Sequence, residues 1–63
     1  MDQIKSMTVL KKGSDVFGST EKFVKWLNSY NFAINCKPIN IWKDKEGLQI
    51  IHDELNRIEH GII

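Results

Sequence analysis

Three places in this chain hold residue types that could do chemistry. Asp44 and Glu46 are close enough to suggest paired carboxylates for acid–base work. Glu59 stands beside His60, a combination that could move a proton. Cys36 is the one cysteine and could serve as a nucleophile. None has the spacing its chemistry needs. Asp44 and Glu46 sit where a helix should begin, and an acid there caps free backbone N–H groups and meets the positive end of the helix dipole. Glu59 and His60, adjacent on a helix, point about 100° apart and do not converge. Cys36 has no histidine or aspartate spaced to activate it. His52, His60 and Cys36 lack the CxxC or HxxxH spacing of a metal site. Glycines 13, 18, 47 and 61 are scattered and form no phosphate cradle. The pattern predicts no catalytic residue, no cofactor and no metal.

The elements that would carry these residues read as helices. Residues 2–17 place Ile4, Met7, Leu10 and Phe17 at helical spacing, with Val9 and Val16 beside the stripe. Gly13 either admits a close neighbour or breaks this helix, and Gly18 suits a left-handed stop. Ser19 or Thr20 caps a second helix over residues 20–30, whose face is Phe23, Trp26, Leu27 and Tyr30. Asn31 opens a turn, by a left-handed conformation or by hydrogen bonds to nearby backbone. Pro38 starts a short helix over "PINIW", with Ile39 and Trp42 to one side. Asp44 caps the last helix, residues 45–60, where Leu48, Ile51, Leu55 and Ile58 form the cleanest stripe in the chain. This helix is expected to be the central packing element, with Trp26 buried against it. Gly47 would let a neighbour approach. The expected fold is all-α, a small bundle of three longer helices plus one short helix, in a single domain over residues 1–63.

Sixty-three residues bury a marginal core. One cysteine permits no internal disulfide, so a homo-oligomer or a protein partner is the natural further source of stability. Net charge is +1 with acids and bases interleaved, which offers no dense basic run to hold nucleic acid. No stretch is apolar over the ~20 residues of a membrane span. The free cysteine and the absence of a signal layout predict a cytoplasmic protein. The last two residues, Ile62 and Ile63, follow Gly61 and end the chain on apolar surface. They either bind a partner or fold back over the core.

In order, "FGSTEKFVKWL", "NFAI", Pro38, "KEG" and "LNRIEHG" resemble the toxin-binding domain of the Xre/MbcA/ParS-like antitoxins. Phe17, Gly18, Trp26, Leu27, Asn31, Pro38, Glu46, Gly47, Leu55, Arg57, Ile58, Glu59 and Gly61 stand at the matching places. The chain departs from that pattern at Tyr30, at Asn35 and Cys36, and at Ile41 and Trp42. It also has no room for the helix-turn-helix that typical members carry. The resemblance implies an antitoxin of a type II toxin–antitoxin system in a bacterium. It implies no enzyme activity, and a RES-domain, NAD-degrading toxin as partner, whose active site the antitoxin occludes. On that reading Arg57, Glu59, His60, Gly61, Ile62 and Ile63 bind the partner. The alternative is a DNA-binding or transcription-regulator accessory or dimerisation domain.

Overall fold

The computed structural model describes residues 4–61. Three α-helices and one 3-10 turn follow in order: α1 (Ser6–Phe17), α2 (Thr20–Leu27), the turn Pro38–Ile41, and α3 (Lys45–Glu59). The fold is all-α, with three longer helices and one short one. Its starts and stops have local causes. The Ser19 hydroxyl accepts the Lys22 backbone N–H at 3.1 Å, and the Asp44 carboxylate accepts that of Gly47 at 2.7 Å, satisfying donors that a helix start leaves free. Gly18 ends α1 at φ +89°.

All three longer helices are shorter than the sequence predicts. Residues 1–3 lie outside the described residues, and α1 begins at Ser6 because Lys5 is extended and its carbonyl takes the first helical bond, from Val9. The second helix stops at Leu27, not residue 30. The Asn28 amide donates to the Val24 carbonyl and the Ser29 hydroxyl to that of Lys25, each at 2.9 Å. These side chains close the last turn, and Tyr30 leaves the helix half-exposed. The last helix ends one residue early, with His60 as its cap.

Val9, Phe23, Leu27, Leu48, Ile51 and Leu55 form the core. The α3 stripe is confirmed at Leu48, Ile51 and Leu55, with Ile58 at its margin. The expected α1 stripe holds at Ile4 and Phe17, which pack against the core, and fails at Met7 and Leu10 between them. Met7 is 78% exposed and Leu10 39%, while Val9 is fully buried. The reason is Gly13, one turn after Val9. An added Cβ there would lie 2.3 Å from the Phe23 ring, so a glycine occupies the core face where a pattern of apolar residues shows a gap. Val9, Gly13 and Val16 or Phe17 make the true face.

Phe23 is the hub of an aromatic cluster, with ring centroids 6.0 Å from Phe17, 5.8 Å from Trp26 and 6.1 Å from Trp42. Trp26 is partly buried against Phe17 and Phe23, not sealed against the last helix. The central element is α1, which contacts both α2 and α3, whereas no Cα of α2 lies within 8 Å of one in α3. The 3-10 turn bridges those two instead. Its approach to α3 is close: a Cβ on Gly47 would fall 1.7 Å from the Ile41 carbonyl oxygen. Ile41 and Trp42 pack toward the core, while Ile39 is exposed.

Candidate partner-binding site

The end of α3 is organised by two ion pairs. Arg57 donates through Nε to Glu54 Oε1 at 3.1 Å and through one terminal nitrogen to Glu54 Oε2. This is a two-point fork between residues one helical turn apart. Glu54 is only 8% exposed. A buried carboxylate without a cation would be costly, so Arg57 covers a charge that the core face of α3 would otherwise strand. The hydrogen bond that Arg57 donates to Glu54, and then the charge of that carboxylate, raises the Arg57 pKa above its ordinary value. Its side chain remains 54% exposed. The second terminal nitrogen has no acceptor among the described residues and is free to donate outward.

Glu59 pairs with Lys12, 47 positions earlier in the chain. The Lys12 hydrogen bond, and then its charge, holds the Glu59 carboxyl below its ordinary pKa. This pair ties the last turn of α3 to the middle of α1. His60 is exposed and caps α3, its N–H bonding to the Asn56 carbonyl at 3.0 Å. Gly61 follows at φ +75°, a conformation that a side chain strains, and its N–H bonds to the Ile58 carbonyl at 3.3 Å. Gly61 thus has a local task as the helix stop, and among the described residues nothing crowds it.

Arg57, Glu59, His60 and Gly61 therefore share one exposed helix end. Ile62 and Ile63 lie outside the described residues. Sequence reasoning missed two residues that shape this end. Glu54 was legible in principle, since it stands three positions before an arginine on the same helix. Lys12 was not, because only the folded chain brings α1 to Glu59.

The other chemical candidates stay apart. Asp44 is engaged as the cap of α3 and Glu46 is exposed in its first turn. Cys36 is partly buried in the loop after α2, where its carbonyl accepts the Asn31 N–H at 3.1 Å. Among the described residues no three His, Cys, Asp or Glu side chains are grouped to hold a metal. No described helix is long and apolar enough to cross a membrane.

The antitoxin Xre/MbcA/ParS C-terminal toxin-binding domain matches residues 12–61, and the chain belongs to this family. The matched stretch takes in both members of the Lys12–Glu59 pair and runs to Gly61. No curated protein and no solved structure matches the chain.

Proposed function

We propose that this chain is a non-enzymatic antitoxin of a bacterial type II system that neutralises a RES-domain, NAD-degrading toxin in the cytoplasm. Residues 57–63 are the inhibitory element, set against the toxin's active-site entrance so that NAD cannot enter. The match to a toxin-binding domain over residues 12–61 carries this reading. The geometry at the end of α3 supports it. Arg57 has a donor left over after its fork with Glu54, suited to a carboxylate or carbonyl on the partner. Lys12 pairs with Glu59 and so holds the last turn of α3 against α1, beside the residues proposed to meet the toxin. Ile62 and Ile63 supply apolar anchors beyond the glycine stop.

The test pairs the chain with the purified RES-domain toxin encoded beside it. Addition of the chain should stop NAD consumption at a one-to-one ratio, and co-expression should restore growth of cells making the toxin. A stable complex in which NAD consumption continues unchanged would refute occlusion. Absence of any complex would refute the RES-domain partner.

A further inference from the structure

Glu54 is the one buried charged side chain among the described residues. Ile51, one turn before it, and Leu55, beside it, are fully sealed in the core. Stability alone gives no reason for an acid there. Taking a carboxylate out of water costs more than one cation commonly returns, and an apolar residue of similar size is often as good for the fold or better. What a methionine or leucine could not do at this place is hold a guanidinium.

The hold is specific to one edge of that group. A guanidinium carries N–H donors on two edges. The side edge of Arg57, Nε with one terminal nitrogen, is engaged by the two carboxylate oxygens of Glu54. The end edge, made by the two terminal nitrogens, still has donors without an acceptor among the described residues. The Arg57 side chain is 54% exposed and that of Glu54 9%, so the arginine is the outward half of the pair. An arginine held at one point or none must give up rotamer freedom when it docks. Here two N–H groups are already tied to a buried anchor, so much of that ordering is complete in the folded chain.

Charge selects the acceptor that the end edge suits. The pair is close to neutral as a unit, and a second carboxylate on the end edge would be repelled by the first. A backbone carbonyl meets no such penalty and can accept from both terminal nitrogens. We infer that Glu54 is a positioning residue for partner binding: it grips Arg57 by its side edge so that the end edge donates to a backbone carbonyl of the toxin. This rests on the reading of Arg57 as part of the toxin-binding segment. Glu54 lies beneath Arg57 and acts through it alone.

The test is a double-mutant cycle on affinity for the purified RES-domain toxin, with every variant checked by circular dichroism melts. Glu54→Gln removes the charge and the two-oxygen grip but keeps the size. Arg57→Lys keeps a cation over Glu54 but has no second edge. Each should stay folded and weaken toxin binding by roughly tenfold, the scale of one charge-assisted hydrogen bond. In the Arg57→Lys background, Glu54→Gln should cause no further loss. Glu54→Met, which removes the polar group outright, should repeat the pattern and stands in if the amide variant does not fold. Unfolding of both variants would give Glu54 to the fold and overturn the inference. So would a Glu54→Gln chain that binds as tightly as the parent, or a loss of equal size in both backgrounds, which a merely structural role produces. Tighter binding by Glu54→Gln at low salt would also overturn it, since unmasking the Arg57 charge would then favour a toxin carboxylate. Each of these outcomes leaves the antitoxin reading intact. A parent chain that binds no RES-domain toxin refutes that reading, and this inference falls with it.

Discussion

Replacing Gly47 with alanine sets two effects against each other. Alanine favours a helix interior over glycine by about 1 kcal/mol, so on propensity alone the variant gains stability. The packing opposes this. The added carbon would lie 1.7 Å from the Ile41 carbonyl oxygen and 2.7 Å from its carbon. An ordinary carbon–oxygen contact is about 3.3 Å, so the 3-10 turn must retreat by about 1.6 Å. The obstacle is backbone, which no rotamer change can relieve. Overpacking of this kind costs about 3 kcal/mol, the upper end of the usual range. The net loss is then about 2 kcal/mol. That is a large share of a stability on the order of 3–9 kcal/mol for a chain of this length. The melting temperature should fall by roughly 8–16 °C. Urea and thermal melts followed by circular dichroism give the answer. Gln49→Ala, on the exposed face of the same helix, should stay within about 0.5 kcal/mol of the parent and serves as the control. A Gly47→Ala protein as stable as the parent, or more so, would mean that the 3-10 turn does not rest against α3.

Leu55→Ala should cost about 2–5 kcal/mol, since Leu55 is fully buried in the core, and an unchanged melting temperature would remove it from there. Glu59 should titrate below an ordinary glutamate because Lys12 favours its ionised form, and Lys12→Met should raise that midpoint in a carboxyl NMR titration. Since the folded pKa is the lowered one, the stabilisation from this pair is complete above the unfolded pKa and is lost as pH falls through the folded value. Equal midpoints in the two proteins would dismiss the pair. With Trp42 replaced by phenylalanine, Trp26 fluorescence should be partly quenched by acrylamide, as suits a half-buried ring stacked on Phe23 and tilted against Phe17. Quenching as complete as for free tryptophan would contradict that stack. Calorimetric titration of the chain with zinc or with NAD should be silent, and a stoichiometric heat would point to a site of another kind.

What could be read from the sequence follows from the range of the interactions involved. Ser19, Asp44 and Gly18 act on backbone groups within three or four positions, so their caps were legible by spacing alone. The stripe of α3 was legible for the same reason, being regular over several turns and free of glycine on its buried side after Gly47. The stripe of α1 was not, because its core face passes through Gly13, and only the ring of Phe23 shows why nothing larger fits there. The end of α2 depended on Asn28 and Ser29 bonding back to the helix, a competition between turn and helix that residue type leaves open. At the candidate site, Arg57 and Glu59 were visible as charges near a helix end. Of their partners within the chain, Glu54 was open to inference from its place three residues before Arg57, but its burial was not, and Lys12 reaches Glu59 only once α1 and α3 have packed.

The central claim is that the segment after α3 closes the toxin's active site, and a truncation tests it most directly. The cut belongs after Gly61, because Gly61 stops the helix and a cut at His60 would disturb α3 itself. The chain ending at Gly61 should keep the helical content and melting temperature of the full protein. Two buried apolar anchors of ~2 kcal/mol each imply a loss of well over tenfold in affinity for the RES-domain toxin, with NAD consumption restored in proportion. A folded truncation that inhibits as well as the full chain would contradict the claim. A truncation that unfolds would place Ile62 and Ile63 in the core and contradict it in the other direction.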